Sequence, residues 1–268
     1  LYEGEYRGLY CTGCETFITA KELTDGLCPI HHAPPEEVAE KNWFFKLADY
    51  KKKVGALIES DQIKIQPDFA KKEALGLLKQ DLEDFSVSRE KVKWGIKLPW
   101  DQSQTVYVWV DALFNYVSAL GFPNGANYKK FWPADIHIMG KDIIRFHCVI
   151  WPALLEAVGL PLPKKIFAHG FFTIDGQKIS KSLGNVIDPN DLVAEYGADA
   201  VRYFLLREIP FGEDGDFSIE KLGARYEGDL ANGLGNLFSR LTTLVAQNLD
   251  GELPDVVEST RDFDQIGK

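Results

Sequence analysis

Two residue pairs near the start of the chain have the spacing of metal ligands. Cys11-x-x-Cys14 is followed after thirteen residues by Cys28-x-x-His31. Each pair falls on a tight turn, and the loop between them is long enough to bring both around one tetrahedral ion. Three thiolates and an imidazole leave no open coordination position, so zinc held there would be structural rather than catalytic. His32 is an alternative to His31, and without metal the same residues read as core thiols beside a surface histidine. Cys148 stands alone and reads as packing within a helix.

Lys178-Ile179-Ser180-Lys181-Ser182-Leu183-Gly184-Asn185 places two ammonium groups three residues apart, beside hydroxyls and a glycine. Cations of that kind suit a polyphosphate: a lysine that meets departing pyrophosphate only as its charge grows lowers the barrier to attack on the α-phosphate. A solvated basic turn is the plainer reading of these residues alone. A third group is aromatic. Ile143, His147 and Trp151 recur every four residues on one predicted helix, and Trp109, Ala112 and Tyr116 lie at a strand end and on the helix after it. Such a box suits a thioether, because sulfur gains about 0.3 to 1.5 kcal/mol from each aromatic contact. Periodicity by itself favours a buried core stripe. Asp142, in Gly140-Lys141-Asp142, has the place of either a ribose-binding carboxylate or a helix cap. Asn236 and Arg240, one helical turn apart, can pair with the edges of unstacked bases or simply face water.

The elements that must position these groups can be read from pattern. Val106–Val110 and Ile136–Met139 are short, rich in strand-forming residues, and each is followed by about four turns of predicted helix. That alternation predicts a parallel sheet covered by helices, with ligands beyond the carboxyl ends of the strands. A further strand is expected at Ile166–His169 and a hairpin turn at Asp175-Gly176. Asp188-Pro189 reads as a helix start and Gly197 as its stop, which leaves Lys178–Asp188 as a loop between rigid elements. From Ser218 the pattern is helical, with a polar, acidic tail.

The 45% hydrophobic and 12% aromatic content is enough for a substantial core in 268 residues. A net charge of −10 argues against a protein that coats nucleic acid, so any RNA contact must be local. No apolar run approaches the roughly 20 residues of a membrane helix, and no membrane partner is expected. The chain opens at Leu1 and holds a single methionine, Met139, so it reads as a fragment.

With these residues in view, a resemblance becomes specific. Lys178–Ser182 matches the KMSKS signature of class I aminoacyl-tRNA synthetases, with Ile179 in place of methionine, and Leu183-Gly184-Asn185 through Asp188-Pro189 extends the match in the style of the methionyl-tRNA synthetase family. Tyr107–Tyr116 and Gly140–Trp151 resemble the two stretches that line that family's amino-acid pocket, although Leu113 stands where some relatives have proline. The resemblance implies an α/β fold: the second half of a Rossmann-like parallel sheet with an inserted zinc-binding module, followed by a helical anticodon-binding region. It implies segments at 1–88 (connective insertion with zinc knuckle), 89–165 (second half of the catalytic domain), 166–217 (KMSKS loop and stem-contact region) and 218–268 (start of the anticodon-binding helices).

The implied function is ATP-dependent activation of methionine and its transfer to tRNA(Met). Lys178 and Lys181 would be catalytic, with Gly140, Asp142, Ser180 and Ser182 also at ATP. Trp109, Ala112, Tyr116, Ile143, His147 and Trp151 would surround methionine, and Asn236 and Arg240 would read the anticodon. Structural zinc on Cys11, Cys14, Cys28 and His31, and magnesium with ATP, complete the set. A cytoplasmic protein, or one of an organellar matrix, is expected. The family's first half-sheet, with its HIGH signature and the carboxylate that holds the substrate amine, is absent from these residues, so the fragment alone is expected to be inactive. The rival readings are another class I synthetase, for leucine, valine or cysteine, and a non-catalytic zinc-containing RNA-binding paralogue.

Overall fold

In a computed structural model of the chain, residues 1–13, 16–18, 22–80, 82–174, 176–179 and 185–253 are described. They belong to two units, Leu1–Gly170 and Phe171–Lys268.

The first unit begins with β1 (Tyr2–Cys11), β2 (Thr16–Ile18) and β3 (Glu36–Phe45), an antiparallel set with β1 between the other two. The period-two pleat turns Glu40 and Asn42 of β3 inward and Lys41 outward. In α1 (Lys51–Glu59), Val54 and Ile58 are buried four residues apart. After β4 (Lys64–Gln66), α2 (Asp68–Lys79) buries Ala70, Ala74 and Leu78 at the same spacing. β5 (Phe85–Ser86) extends the first sheet beside β3, while β6 (Ser88–Arg89), β7 (Lys97–Leu98) and β8 (Asp101–Val106) form a small antiparallel sheet ordered β6-β8-β7.

Next come α3 (Val108–Ser118), α4 (Ala126–Phe131) and β9 (His137–Gly140). A 3-10 turn at Lys141–Ile143, a π-helical stretch at Arg145–Ile150, α5 (Trp151–Val158) and β10 (Lys165–His169) complete the unit. β10 lies between β4 and β9, parallel to both. The core gathers where the helices cover these strands: Leu113, Val117, Ile144, Cys148, Trp151, Ile166 and Ala168 are all buried. Each large apolar side chain there contributes about 1.5 to 3 kcal/mol by leaving water.

Two expectations need correction. The strand expected at Val106–Val110 ends at Val106, and Val108–Val110 open α3 instead. The strand also pairs antiparallel with β6 and β7 rather than joining the parallel sheet, whose third strand is β4. β-branched residues lose strand preference when packing favours another state; here burial of Leu113 and Val117 against the core, and Asp111 in the first turn of the helix, decide for helix. The helix after β9 is likewise not a regular α-helix across Ile143–Trp151 but passes from a 3-10 to a π-helical turn.

In the second unit, β11 (Phe172–Ile174) and β12 (Gln177–Lys178) form the expected hairpin, with Thr173 opposite Lys178, Ile174 opposite Gln177 and Gly176 at a φ of 73°. The left-handed φ suits glycine. α6 (Pro189–Tyr196) starts where Asp188 accepts a 2.8 Å hydrogen bond from the Asn190 N–H, with proline in the first turn, and stops at Gly197. α7 (Ala198–Glu208) and β13 (Gly215–Asp216) follow. Asp216 accepts from Thr173 Oγ1 at 2.8 Å and from the Gly176 N–H at 2.9 Å, which ties β13 to the hairpin. α8 (Ile219–Arg225), capped by Ser218, then a π-helical stretch at Tyr226–Gly235 and α9 (Asn236–Asn248) are the last described elements. Leu192, Val201, Phe204, Phe217 and Leu222 make this unit's core. No described helix is long and apolar enough to cross a membrane.

Candidate functional site

β9 and α3 bring the aromatic group of the first unit together. On α3, Trp109, Ala112 and Tyr116 follow helical spacing on one face; Trp109 and Tyr116 are half-buried and Ala112 is exposed. Tyr116 Oη lies 2.9 Å from His147 Nε2, and His147 Nδ1 lies 3.2 Å from the Ile143 carbonyl oxygen. A carbonyl only accepts, so Nδ1 of His147 carries the proton and Nε2 accepts from the tyrosine hydroxyl. Burial lowers the His147 pKa against the opposing Ile143 hydrogen bond, and burial raises that of Tyr116. Both groups are therefore neutral near pH 7.

Trp151 is fully buried, with its ring 6.1 Å from that of Tyr116 and edge-on to Phe114 at 5.3 Å. Tyr116, His147, Trp151 and the Ile143 carbonyl thus share one cluster. Trp109 has a different neighbour: its ring stacks on Phe146 at 3.7 Å, with the planes 9° apart. Phe146 directly precedes His147, but sequence spacing gave no reason to single it out. His137, 4.2 Å from the Tyr116 ring, was also not singled out. Its only signal is the period-two pattern of β9, in which His137 and Met139 are buried and Ile138 between them is exposed. An apolar cleft of about 490 Å³ lies on another side of α3 and involves none of the predicted site residues; Tyr50, Trp100, Val110 and Leu154 are among its walls.

Gly140 ends β9, and Asp142, exposed in the 3-10 turn that follows, lies beyond the carboxyl end of the strand. Of the lysine loop, Lys178 ends β12; Ser180, Lys181 and Ser182 lie outside the described residues. Asn236 and Arg240 are exposed, one turn apart on α9.

At the start of the chain, Cys11 Sγ and Cys28 Sγ lie 3.8 and 3.9 Å from His31 Nδ1, and the three donor atoms are all within 4.8 Å of one another. Zinc with sulfur at about 2.3 Å and nitrogen at about 2.0 Å needs donors separated by roughly 3.5 to 3.8 Å, so this set fits with small closure. Burial pushes the Cys28 thiol up, but hydrogen bonds from the backbone of His31 and Ile30 and from the His31 and Cys11 side chains outweigh it and bring the thiol down to about 6, toward the thiolate that metals bind. A Cβ on Gly13 would sit 2.7 Å from the His31 ring, so glycine is what lets the imidazole approach this turn. Cys14 lies outside the described residues. Cys148 is not part of this group: it is fully buried in the core, its thiol pushed up to about 12 chiefly by burial.

The parallel strands β4, β10 and β9 with helices packed over them define an α/β class of protein. Residues 2–242 match the family described as tRNA synthetases class I (M), and the chain belongs to that family. It is 52% identical over 256 residues to the methionine–tRNA ligase of Caldanaerobacter subterraneus subsp. tengcongensis, covering 95% of this chain and 40% of that protein. For the enzyme of the same name from Thermotoga maritima the figures are 48% over 259 residues, 95% and 41%. Among solved structures, Mycobacterium tuberculosis methionyl-tRNA synthetase in complex with methionyl-adenylate superimposes with a TM-score of 0.89 at 42% identity, over 99% of this chain and 53% of that one. The chain spans about half or less of the length of these relatives.

Proposed function

We propose that this chain is the part of a methionine–tRNA ligase that carries one wall of the amino-acid pocket, the lysine loop and the beginning of the RNA-binding helices. The observation that carries the reading is the neutral cluster of Tyr116, His147 and Trp151. It offers a thioether the half-buried Tyr116 ring, held by the buried His147 and packed beside the buried Trp151, without a charge that would favour a polar side chain. Trp109 on Phe146, Ala112 and Ile143 extend that wall. The Mycobacterium relative, solved with methionyl-adenylate, supports methionine and ATP as substrates.

In the whole protein the methionine carboxylate attacks the α-phosphorus of ATP, pyrophosphate leaves, and a terminal ribose hydroxyl of tRNA(Met) then takes the acyl group. Lys181, supported by Lys178, neutralises the leaving pyrophosphate, with Ser180, Ser182 and Gly140 at the nucleotide and Asp142 accepting from ribose. Magnesium accompanies ATP. Asn236 and Arg240 read anticodon bases, as their exposure on one face of α9 permits. Cys11, Cys14, Cys28 and His31 hold a structural zinc that fixes the first turn of the module. Segments 1–88, 89–165, 166–217 and 218–268 divide these tasks.

The test is ATP–pyrophosphate exchange by the full-length polypeptide with methionine, leucine and valine in turn. Exchange is expected with methionine alone, and Lys181→Ala should lower kcat by about 10²- to 10³-fold with little change in KM for methionine. Exchange that leucine or valine supports as well as methionine does would rule out the assignment.

A further inference from the structure

Two imidazoles, not one, contact the aromatic cluster. His147 holds the hydroxyl of Tyr116, and the resemblance already gives it a place at the amino acid. His137, on β9 and 5% exposed, has been given no role. The Trp151 indole nitrogen lies 3.3 Å from His137 Nε2. An indole N–H can only donate, so Nε2 of His137 is the acceptor and its proton sits on Nδ1. The same ring packs against Tyr116 with centroids 4.2 Å apart, and lies 6.1 Å from Trp132 and 6.4 Å from His147. Burial, reinforced by the neighbouring His147, holds the His137 pKa down at about 4, so the accepting form prevails at neutral pH.

We propose that His137 is a positioning residue for the amino-acid pocket: it accepts the N–H of the buried Trp151 indole and backs the half-buried Tyr116 ring, fixing the aromatic face against which an unbranched thioether side chain would lie. The inference rests on the reading of this cluster as the methionine pocket. Its physical basis is that a fully buried indole N–H without an acceptor is costly, so a change at His137 must move Trp151 or leave that donor unpaired. A strand is a firm base for such a prop, because β9 is hydrogen-bonded to β10 from His137 to Gly140. No charge moves and no bond changes; His137 acts on binding through the two rings.

The experiment uses the full-length protein with His137→Phe, which keeps a ring and removes the acceptor, and His137→Gln, whose amide oxygen can take the place of Nε2. Steady-state ATP–pyrophosphate exchange should give a KM for methionine raised about three- to ten-fold in the phenylalanine variant. KM for ATP and kcat should stay within about two-fold, and the glutamine variant should recover most of the loss. The Trp151 indole proton, followed by NMR with 15N-labelled tryptophan, should shift upfield in H137F and return in H137Q. Should H137F not fold, His137→Asn, whose shorter amide withdraws the acceptor, replaces it with the same expectation. An unchanged KM for methionine in a folded acceptor-less variant, or a glutamine variant as impaired as phenylalanine, overturns the proposal. Trp109→Ala separates this from the underlying reading. If it raises KM for methionine while H137F does not, the pocket stands and His137 has no part in it; if neither variant responds, the pocket assignment fails and the proposal with it.

Discussion

Removing the carboxylate of Glu40 should destabilise the first unit by about 3 kcal/mol, and the structure says why. Arg89 Nη1 lies 2.6 Å from Glu40 Oε1, with the Arg89 and Glu40 side chains only 10% and 3% exposed. The same oxygen accepts from Asn42 Nδ2 at 3.1 Å, and the other carboxylate oxygen accepts from the Lys91 N–H at 3.4 Å. Glu40→Ala takes the Glu40 ion pair away from a buried guanidinium, and breaking such a buried pair from one side typically costs about 3 to 5 kcal/mol. The guanidinium also sits 4.6 Å over the Tyr107 ring, and that cation–π contact, worth up to about 2 kcal/mol when desolvated, keeps the loss at the lower end. For a unit of this size, about 3 kcal/mol corresponds to a fall in Tm of roughly 6 to 12 °C.

Replacing both partners, as in Glu40→Leu with Arg89→Met, removes both buried charges together, and should restore stability to within about 1 kcal/mol of the parent or exceed it. Urea unfolding followed by tryptophan fluorescence, with Cm and m fitted separately, measures both variants. A Glu40→Ala variant that loses less than about 1 kcal/mol, or a double variant as unstable as the single, would refute the argument. The consequence reaches the site, because Tyr107 caps α3, the helix that carries Trp109 and Tyr116.

Other outcomes follow from the same structure. Gly13→Ala should weaken zinc binding by at least about ten-fold, since the added methyl group falls on the His31 ring; competition with a chromophoric chelator reads this, and unaltered affinity would remove His31 from the ligand set. Folding depresses the pKa of His137 from 6.5 to about 4 and lowers that of His147 as well, so on acidification the unfolded chain takes up protons first. Stability should therefore be level above pH 6.5 and decline as the pH falls toward about 4, and His137→Gln should flatten that decline in thermal melts across the range. Because the chain covers 40% of its Caldanaerobacter relative, the isolated 268 residues are expected to give no methionine-dependent ATP–pyrophosphate exchange; a rate near that of an intact enzyme would show that adenylate chemistry needs nothing further.

Much of the fold was legible where neighbours in sequence decide the structure. The hairpin that turns at Gly176, the Asp188-Pro189 helix start and the Gly197 stop each depend on a few dihedral angles and one or two local hydrogen bonds. The Cys-x-x-Cys and Cys-x-x-His spacings were legible as short patterns, but the approach of Cys11 to Cys28 and His31 is a contact between separate segments. Val106–Val110 was misread because its β-branched residues favour a strand locally, while burial of Leu113 and Val117 outweighs that preference. His137 and Phe146 went unremarked because each matters through a ring on another element: Tyr116 and Trp151 for the one, Trp109 for the other.

By itself, then, the order of residues determined the local turns and helix starts and which cysteines, histidines, lysines and aromatic rings the chain has to offer, since all of these are set by side-chain type and short spacing. Only the tertiary structure decided that β4 rather than β8 joins the parallel strands, that Glu40 finds Arg89 forty-nine residues away, and that His137 meets the Trp151 indole. Those pairings form between segments remote in the chain, and what selects them is the burial of apolar surface and the need of each enclosed donor and charge for a partner.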